Sequence, residues 1–361
     1  MTLLETSHAM NENQSESFIR AWRENISSEA LVMQIAKNIL IDVMQFRRIT
    51  DSHEACDLTT CERCHHPHLS KIVSAVSKNQ PVTFVLPAFP GKSPNLTKVL
   101  GPLPDMAERC ALEFLQSLCD RIQHYYAPGA QIAVCSDGRV FSDIVGMRDE
   151  DVTRYQDEIS KMIAMLGLSS IFTFNLEELY SHLTFDDMRV QLMHEFGESL
   201  DILKMSISRG KETNANVDDL ESHRLYLGIT RFLFEDALRP DQLESRTRLQ
   251  KEARIRAYAV IQRSQAWGNL VEAHFGNSVR LSIHPQSCGS KKLGIRLIEP
   301  DNWQTPWHGV AVYVDGRYIL LKRSQAEALG ARLVTRFGRP SHYVLKNKED
   351  LLKLHGASNE A

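Results

Sequence analysis

Residues 82–95, "VTFVLPAFPGKSPN", join an apolar run to a loop that holds a lysine between two prolines. The apolar run, residues 82–86, predicts a buried strand. A strand that leads into Gly-Lys-Ser suggests a P-loop, but a P-loop needs a glycine where this chain has Leu86. Pro94 also disfavours the helix that would have to begin there. The segment therefore predicts a strand followed by a constrained loop, and it is not an ATP-binding loop.

Two further pairs of helix and strand follow this segment in alternation. Asp105 precedes a helical pattern that ends at Pro128-Gly129, and an apolar run over residues 131–135 comes next. A second amphipathic helix, residues 149–166, leads to an apolar run over 170–174. This alternation is typical of a parallel sheet with crossover helices. Ligands bind beyond the carboxyl ends of such strands, so we expect "PAFPGKSPN" and "SDGRVFSD" to face one ligand.

The rest of the chain predicts a helical stretch and then several short strands. Residues 279–283 predict a strand that ends at His284-Pro285, and Asp315-Gly316 lies between two apolar runs that predict a hairpin. The fold class is therefore α/β, with a Rossmann-like, mostly parallel sheet and a smaller C-terminal α+β region. We predict an N-terminal helical segment over residues 1–60, the Rossmann-like domain over 61–240 and the α+β region over 241–361.

Composition limits the partners of the protein. The 361 residues include 42 basic and 45 acidic side chains, a net charge of −3, which offers no case for nucleic-acid binding. The first residues have no signal-peptide pattern, and no apolar run reaches the ~18 residues that a membrane span needs. We therefore expect a cytoplasmic protein, with no membrane partner, whose seven cysteines are reduced.

The segment "CDLTTCERCHHPH", residues 56–68, has the cysteine and histidine spacing of a metal site. One interpretation is a small zinc site that uses Cys61, Cys64 and either Cys56 or a histidine. The other is a loop of reduced thiols and surface histidines. A zinc site usually has a second ligand pair 12–20 residues further on, and none follows here, which favours the loop.

Other charged and titratable residues follow the predicted strands. Asp137 and Arg139 surround a glycine turn, although Asp-Gly is also ordinary turn chemistry and Arg139 an ordinary surface charge. His284, Arg296 and His308 lie in the C-terminal part. A histidine at a strand end is more often structural than catalytic, but histidines can transfer protons near neutral pH. Together with arginines, which bind phosphate or carboxylate bidentately, they fit a small anionic substrate.

Five strings resemble the isonitrile (isocyanide) synthase family, also called the pyoverdine/dityrosine biosynthesis family: "FVLPAFPGKSPN", "KVLGPLPDMAE", "YYAPGAQIAVCSDGRVFSD", "RLSIHP" and "TPWHGV". The resemblance implies condensation of an L-amino acid, commonly tyrosine or tryptophan, with ribulose 5-phosphate. The amino nitrogen would keep C2 of the sugar as an isonitrile carbon, while formaldehyde, hydroxyacetone and phosphate leave. It also implies that no organic cofactor and no metal are required.

Residue chemistry within the matching strings suggests the roles. Lys92, with Ser93 and Asn95, would bind the phosphate or the sugar hydroxyls; a Schiff base of Lys92 with the C2 ketone is the alternative. Asp137 and His284 are the candidates for general acid–base catalysis, and the candidates for binding phosphate or the amino-acid carboxylate are Arg139, Arg296 and His308.

We expect an aromatic substrate, tyrosine before tryptophan, between walls formed by Phe89, Phe141, Trp303 and Trp307. The alternatives are a tryptophan enzyme, another sugar-phosphate lyase or, outside enzymes, a zinc-dependent interaction module.

Overall fold

The structure, a computed structural model, describes residues 29–50, 56–57, 59–239, 242–298, 304–346 and 351. Within these residues, no helix is both long enough and apolar enough to cross a membrane. Five parallel strands form the larger sheet in the order β3-β2-β1-β4-β5, the order of a doubly wound Rossmann-like fold. The strands are β1 (Val82–Pro87), β2 (Ala130–Cys135), β3 (Ile171–Phe174), β4 (Val279–Ser282) and β5 (Leu293–Gly294).

Helices cover both faces of this sheet. One face carries α1 (Glu29–Met44), α2 (Glu62–Ser77), α3 (Met106–Gln123) and α5 (Asp149–Leu166). The other carries α4 (Gly138–Val145), α6 (Leu176–Tyr180), α7 (Phe185–Phe196), α8 (Leu200–Arg209), α9 (Val217–Ala237) and α10 (Arg246–Phe275). Phe84 and Leu86 face the first set, whereas Val85 faces the second, because neighbouring side chains of a strand point to opposite faces. A continuous apolar run in the sequence therefore marks a strand buried on both faces.

Helix α3 shows how the sequence sets the boundaries of these elements. Asp105 accepts a hydrogen bond from the backbone N–H of Ala107, and Glu108 reaches back to the backbone of Asp105, which completes a capping box. The apolar residues of the helix recur at helical spacing and are buried against the sheet. The predicted N-terminus of this helix and the predicted bounds of α5, residues 149–166, are confirmed.

A second sheet of four strands lies after the 3₁₀-helix Pro306–His308. Its order is β7-β6-β9-β8, with β6 (Val310–Val314), β7 (Arg317–Leu321), β8 (Arg332–Arg336) and β9 (Arg339–Val344), and α11 (Arg323–Ala328) follows β7. Strands β6 and β7 form the predicted hairpin, and Asp315 and Gly316 in its turn have φ values of 51° and 80°. The fold class is confirmed: a Rossmann-like α/β sheet with a smaller α+β region.

The predicted boundary at residue 240 does not separate the two sheets. Strands β4 and β5 lie beyond it in sequence, yet β4 pairs with β1 at the centre of the large sheet. Helix α1 also packs into the core of that sheet rather than forming a segment of its own. The physical reason is that β4 and α1 each need apolar partners, which the large sheet provides.

Candidate active site

A cavity of about 560 Å³ lies beyond the carboxyl ends of β1, β2 and β4. Strand order reverses between β1 and β4, and ligands of doubly wound sheets bind at that point. The volume lies within the ~300–1,000 Å³ of ordinary small-molecule sites. The loop after β1 contributes Pro90, Gly91 and Ser93, and the loop after β4 contributes His284. The expectation that these carboxyl ends face one ligand site therefore agrees with the position of the cavity.

Asp137 lies on the wall of the cavity, at the N-terminus of α4. Its Oδ1 atom is buried and accepts no hydrogen bond from the described residues. Burial raises the pKa of this carboxyl to about 7, although its own backbone N–H and the charge of Arg280 act in the opposite direction. The sequence predicted a glycine turn between Asp137 and Arg139, and the structure has the first residue of α4 there, Gly138. A Cβ at Gly138 would lie 1.7 Å from the carbonyl oxygen of Pro90, so only glycine allows this approach.

Two histidines line the same cavity. His284 is exposed to the cavity, but the protein around its ring still displaces part of the solvent. This partial desolvation lowers the pKa of His284 to about 4, and the positive charges of Lys292 and Arg48 lower it further. Burial likewise lowers the pKa of His308 to about 4. His308 Nδ1 is 3.0 Å from the hydroxyl of Thr305 and its Nε2 is 3.7 Å from Asp236. Both rings are therefore neutral near pH 7.

Among the described residues four cationic side chains line the cavity, and none of them was a predicted site residue: Arg48, Lys98, Arg231 and Lys322. Three of them pair with carboxylates at the C-terminal end of α9. Lys98 contacts Asp236 at 2.5 Å, and Lys322 contacts Glu235 at 2.8 Å. Burial raises the pKa of Glu235, but hydrogen bonds and charge from Lys322 outweigh it and bring the pKa to about 2. Lys98 begins the string "KVLGPLPDMAE", but nothing in that string indicates that its side chain meets Lys322 and Arg231, because the fold brings these residues together from distant segments.

Lys92 does not line the cavity, so its position does not support the expected contact with the phosphate or the sugar hydroxyls. Its Nζ atom is fully buried, 2.9 Å from Asp105 and 2.8 Å from Glu108, and donates to the carbonyl oxygen of Pro306. Burial lowers the pKa of Lys92, but the two carboxylates outweigh it and the pKa is raised. A buried, charged amine held by two acids is not poised to form a Schiff base. Lys92 fixes the loop after β1 to α3 and to the 3₁₀-helix.

Ser93 and Asn95 separate into different roles. Ser93 lines the cavity, and its hydroxyl donates to Asp236 at 2.8 Å. The amide of Asn95 is buried away from the cavity, where it donates to the carbonyl oxygens of Glu235 and Leu238. Asn95 therefore connects the loop to the end of α9, and its expected contact with substrate is not supported by its position.

The two predicted arginines also lie outside the cavity wall. Arg139 is fully buried and pairs with Asp149 at 2.8 Å and Glu177 at 2.6 Å, so its charge is already neutralised within the protein. The guanidinium of Arg296 lies 5.1 Å from the ring centre of Phe46. Arg139 was expected at the site because it lies two positions after Asp137 in the sequence. Residues two positions apart at the start of a helix point in different directions, so the two side chains do not share the cavity wall.

Aromatic and aliphatic side chains form the apolar wall. Phe141, Phe232 and Trp307 line the cavity together with Ile229 and Val260. Phe89 packs behind Trp307, with ring centres 5.3 Å apart, and is not part of the wall. Trp303 lies outside the described residues. The wall therefore combines two expected aromatic residues, Phe141 and Trp307, with Phe232 from α9.

The predicted metal ligands Cys61 and Cys64 do not line the cavity. They lie together with Cys56 and Cys288, and the four sulfur atoms are all within 4.8 Å of one another. None of the histidines of residues 65–68 belongs to this group.

Fold and cavity together define a Rossmann-like α/β protein with a cavity of small-molecule size at the switch point of its sheet. A family model described as "Pyoverdine/dityrosine biosynthesis protein" matches residues 72–334. The chain belongs to this pyoverdine/dityrosine biosynthesis family, as the resemblance predicted.

Characterised relatives carry more specific names. An L-tryptophan isonitrile synthase of Fischerella ambigua is 43% identical over 86% of this chain and 92% of the relative. An L-tyrosine isonitrile synthase of Pseudomonas aeruginosa is 43% identical over 89% of this chain and 96% of the relative. The crystal structure of the PvcA protein from Pseudomonas aeruginosa matches with a TM-score of 0.79 and 42% identity, over 86% of this chain and 99% of that one.

Proposed function

We propose that the protein is an isonitrile synthase, which converts the amino group of an L-amino acid into an isonitrile with ribulose 5-phosphate as the carbon source. The observation that carries the proposal is the cavity itself, where a carboxyl with a raised pKa, two neutral histidines and four cations converge. The relatives named above are similar over nearly their whole length, which supports the same reaction class. The relatives named above are isonitrile synthases, and neither is named as another sugar-phosphate lyase or as an interaction module.

Asp137 is the proposed general base and acid. A group whose pKa is near 7 can both accept and return a proton at neutral pH. The reaction needs such exchange, because the amine must lose its protons as it bonds to C2 and the leaving hydroxyls must gain them. His284 and His308 line the same cavity and are neutral, so each can accept a proton or donate an N–H hydrogen bond.

Lys98, Lys322 and Arg231 are the proposed phosphate ligands, in place of Lys92. They converge on Glu235 and Asp236, and all three line the cavity. A phosphate dianion can take over hydrogen bonds that these cations now give to the two carboxylates. Arg48, which lies near His284, is the proposed partner of the amino-acid carboxylate. Its Nη1 atom also donates to the carbonyl oxygen of Ile283.

We propose L-tyrosine as the amino acid, with L-tryptophan as the alternative. Phe141, Phe232 and Trp307 supply an apolar wall for an aromatic ring. Thr305 and His308 are polar groups beside that wall and can bond a phenolic hydroxyl. Relatives with either specificity are equally similar in sequence, so the choice depends on the assay.

The deciding experiment uses the purified protein, each amino acid and ribulose 5-phosphate labelled with ¹³C at C2. We expect a product that has gained one labelled carbon and lost two hydrogens relative to the amino acid, with an isonitrile stretch in the infrared spectrum. Tyrosine should exceed phenylalanine in kcat/KM by roughly 10²-fold or more if a buried group bonds the hydroxyl. A higher kcat/KM for tryptophan would change the substrate but not the reaction class, whereas no labelled isonitrile with any amino acid would refute the proposal.

A further inference from the structure

Four cysteines from distant parts of the chain converge at one place outside the catalytic cavity. Cys61 and Cys64 lie at the N-terminus of α2, Cys56 precedes them, and Cys288 lies in the loop between β4 and β5. The sulfur of Cys288 is 3.3 Å from that of Cys64 and 3.5 Å from that of Cys61. Cys56 is 3.2 Å from Cys64 and 3.6 Å from Cys288. Cys288 lies 224 positions after Cys64 in the sequence, so the spacing motif of residues 56–68 does not reveal this fourth cysteine of the cluster.

We propose that these four cysteines bind one structural zinc ion. Zinc bonds to thiolate sulfur at ~2.3 Å, which places the sulfurs of a tetrahedral site roughly 3.8 Å apart. Four of the six sulfur separations are between 3.2 and 3.6 Å and all six are within 4.8 Å, which is compatible with that value, and the four are well above the ~2.05 Å of a disulfide. Four protein ligands leave no open position, which is the arrangement of a structural site rather than a catalytic one.

An arginine and backbone N–H groups surround the sulfurs. Arg47 donates from one guanidinium nitrogen to Cys56 at 3.3 Å and to Cys64 at 3.5 Å, and its other terminal nitrogen donates to the backbone carbonyl of Cys56. The backbone N–H of Gly289 donates to the sulfur of Cys64. A zinc ion with four thiolates carries a net charge of −2. A guanidinium and backbone N–H donors offset that charge, as outer ligands of metal sites commonly do.

The position of the site explains what the ion would do. Residues 48–50 pair with the loop that holds Cys288: the backbone N–H of Gln286 donates to the carbonyl oxygen of Arg48, and that of Thr50 donates to the carbonyl oxygen of Gln286. The same two segments carry Arg48 and His284 into the cavity. A zinc ion would therefore hold these segments together behind the cavity wall. It takes no part in the reaction chemistry.

The test begins with metal analysis of the full-length protein, purified through a tag that does not bind metal and without added zinc or chelator. We expect one zinc per chain in the wild type and in the control Cys110→Ser, whose cysteine lies outside the cluster. Cys288→Ser should lose most of the zinc, whereas His66→Asn should keep it. Cobalt-substituted wild-type protein should show the sulfur-to-metal charge-transfer band and the intense visible bands of a tetrahedral thiolate site.

Thiol reactivity gives a measurement that does not depend on how well a variant folds. In the native wild-type protein the four thiols should react slowly with Ellman's reagent, and a zinc chelator should expose all four and lower Tm. Wild-type protein with negligible zinc, with iron in its place or with a disulfide among these cysteines would overturn the proposal. Full zinc content in Cys288→Ser would overturn it as well.

Discussion

Asp137→Asn separates the catalytic role of the cavity carboxyl from its effect on the fold. The substitution keeps the shape of the side chain and removes its titration, so we expect kcat to fall by roughly 10²–10⁴-fold. The same change should stabilise the protein above pH 7. A shift of the pKa from 3.8 to about 7 would correspond to roughly 4 kcal/mol of unfavourable burial, and partial contact with cavity solvent reduces the expected gain to about 1–3 kcal/mol.

The sign follows from proton linkage. Between about pH 4 and pH 7 the folded protein holds a proton on Asp137 that the unfolded chain releases, so the free energy of unfolding decreases as pH rises through this window. The asparagine variant lacks this dependence, and its advantage should disappear below about pH 4. Asp137 makes no side-chain capping bond to α4, so the variant loses no cap.

Two measurements test this reasoning together. Urea unfolding at pH 5 and pH 8 gives the difference in the free energy of unfolding between the wild type and Asp137→Asn. In the pH profile of isonitrile formation, the change in rate near pH 7 that reports the titration of Asp137 should be absent from the variant. Asp143→Asn, on the same helix and half-exposed, serves as the matched control for changes in α4. Near-wild-type turnover in Asp137→Asn would refute the catalytic role, and equal losses of activity and stability would point to a structural role instead.

Three further predictions concern the charged groups around the cavity. Lys92→Met should lower the free energy of unfolding by about 3–5 kcal/mol, because it leaves Asp105 and Glu108 buried without their cation. Lys161→Met, at an exposed position, should change the free energy of unfolding little, and equal urea midpoints for the two variants would contradict the buried ion pairs of Lys92. Lys98→Met and Lys322→Met should each raise KM for ribulose 5-phosphate about 10-fold or more with little change in KM for the amino acid, since a charge-assisted hydrogen bond contributes ~1.5–3 kcal/mol; a larger effect on the amino acid would reverse the assignment. His308→Gln should flatten the loss of stability between pH 6.5 and about pH 4, because the folded state resists protonation of this histidine and the unfolded chain does not; an unchanged pH dependence of the urea midpoint would show that another group is responsible.

The sequence was most useful for predicting which side chains line the cavity where the side chain lies in a loop directly after a strand. Ser93, Asp137, His284 and His308 all line the cavity. Ser93, Asp137 and His284 follow the carboxyl ends of β1, β2 and β4, which a parallel sheet brings to one edge, whereas His308 lies in the 3₁₀-helix before β6. Position along the sequence does not fix the direction of a side chain, and therefore Lys92 and Arg139, from the same motifs, point into buried ion pairs instead.

The sequence by itself determined the alternating order of strands and helices, because apolar periodicity and capping residues act over a few neighbouring positions. Continuous apolar runs marked the buried strands β1 and β2, and Asp105 marked the start of α3. Only the tertiary structure placed β4 beside β1, brought Lys98, Asp236 and Lys322 into one cavity, and carried Cys288 to Cys64. These contacts join segments far apart in the chain. They depend on which buried surfaces pack together, and a local pattern contains no information about that.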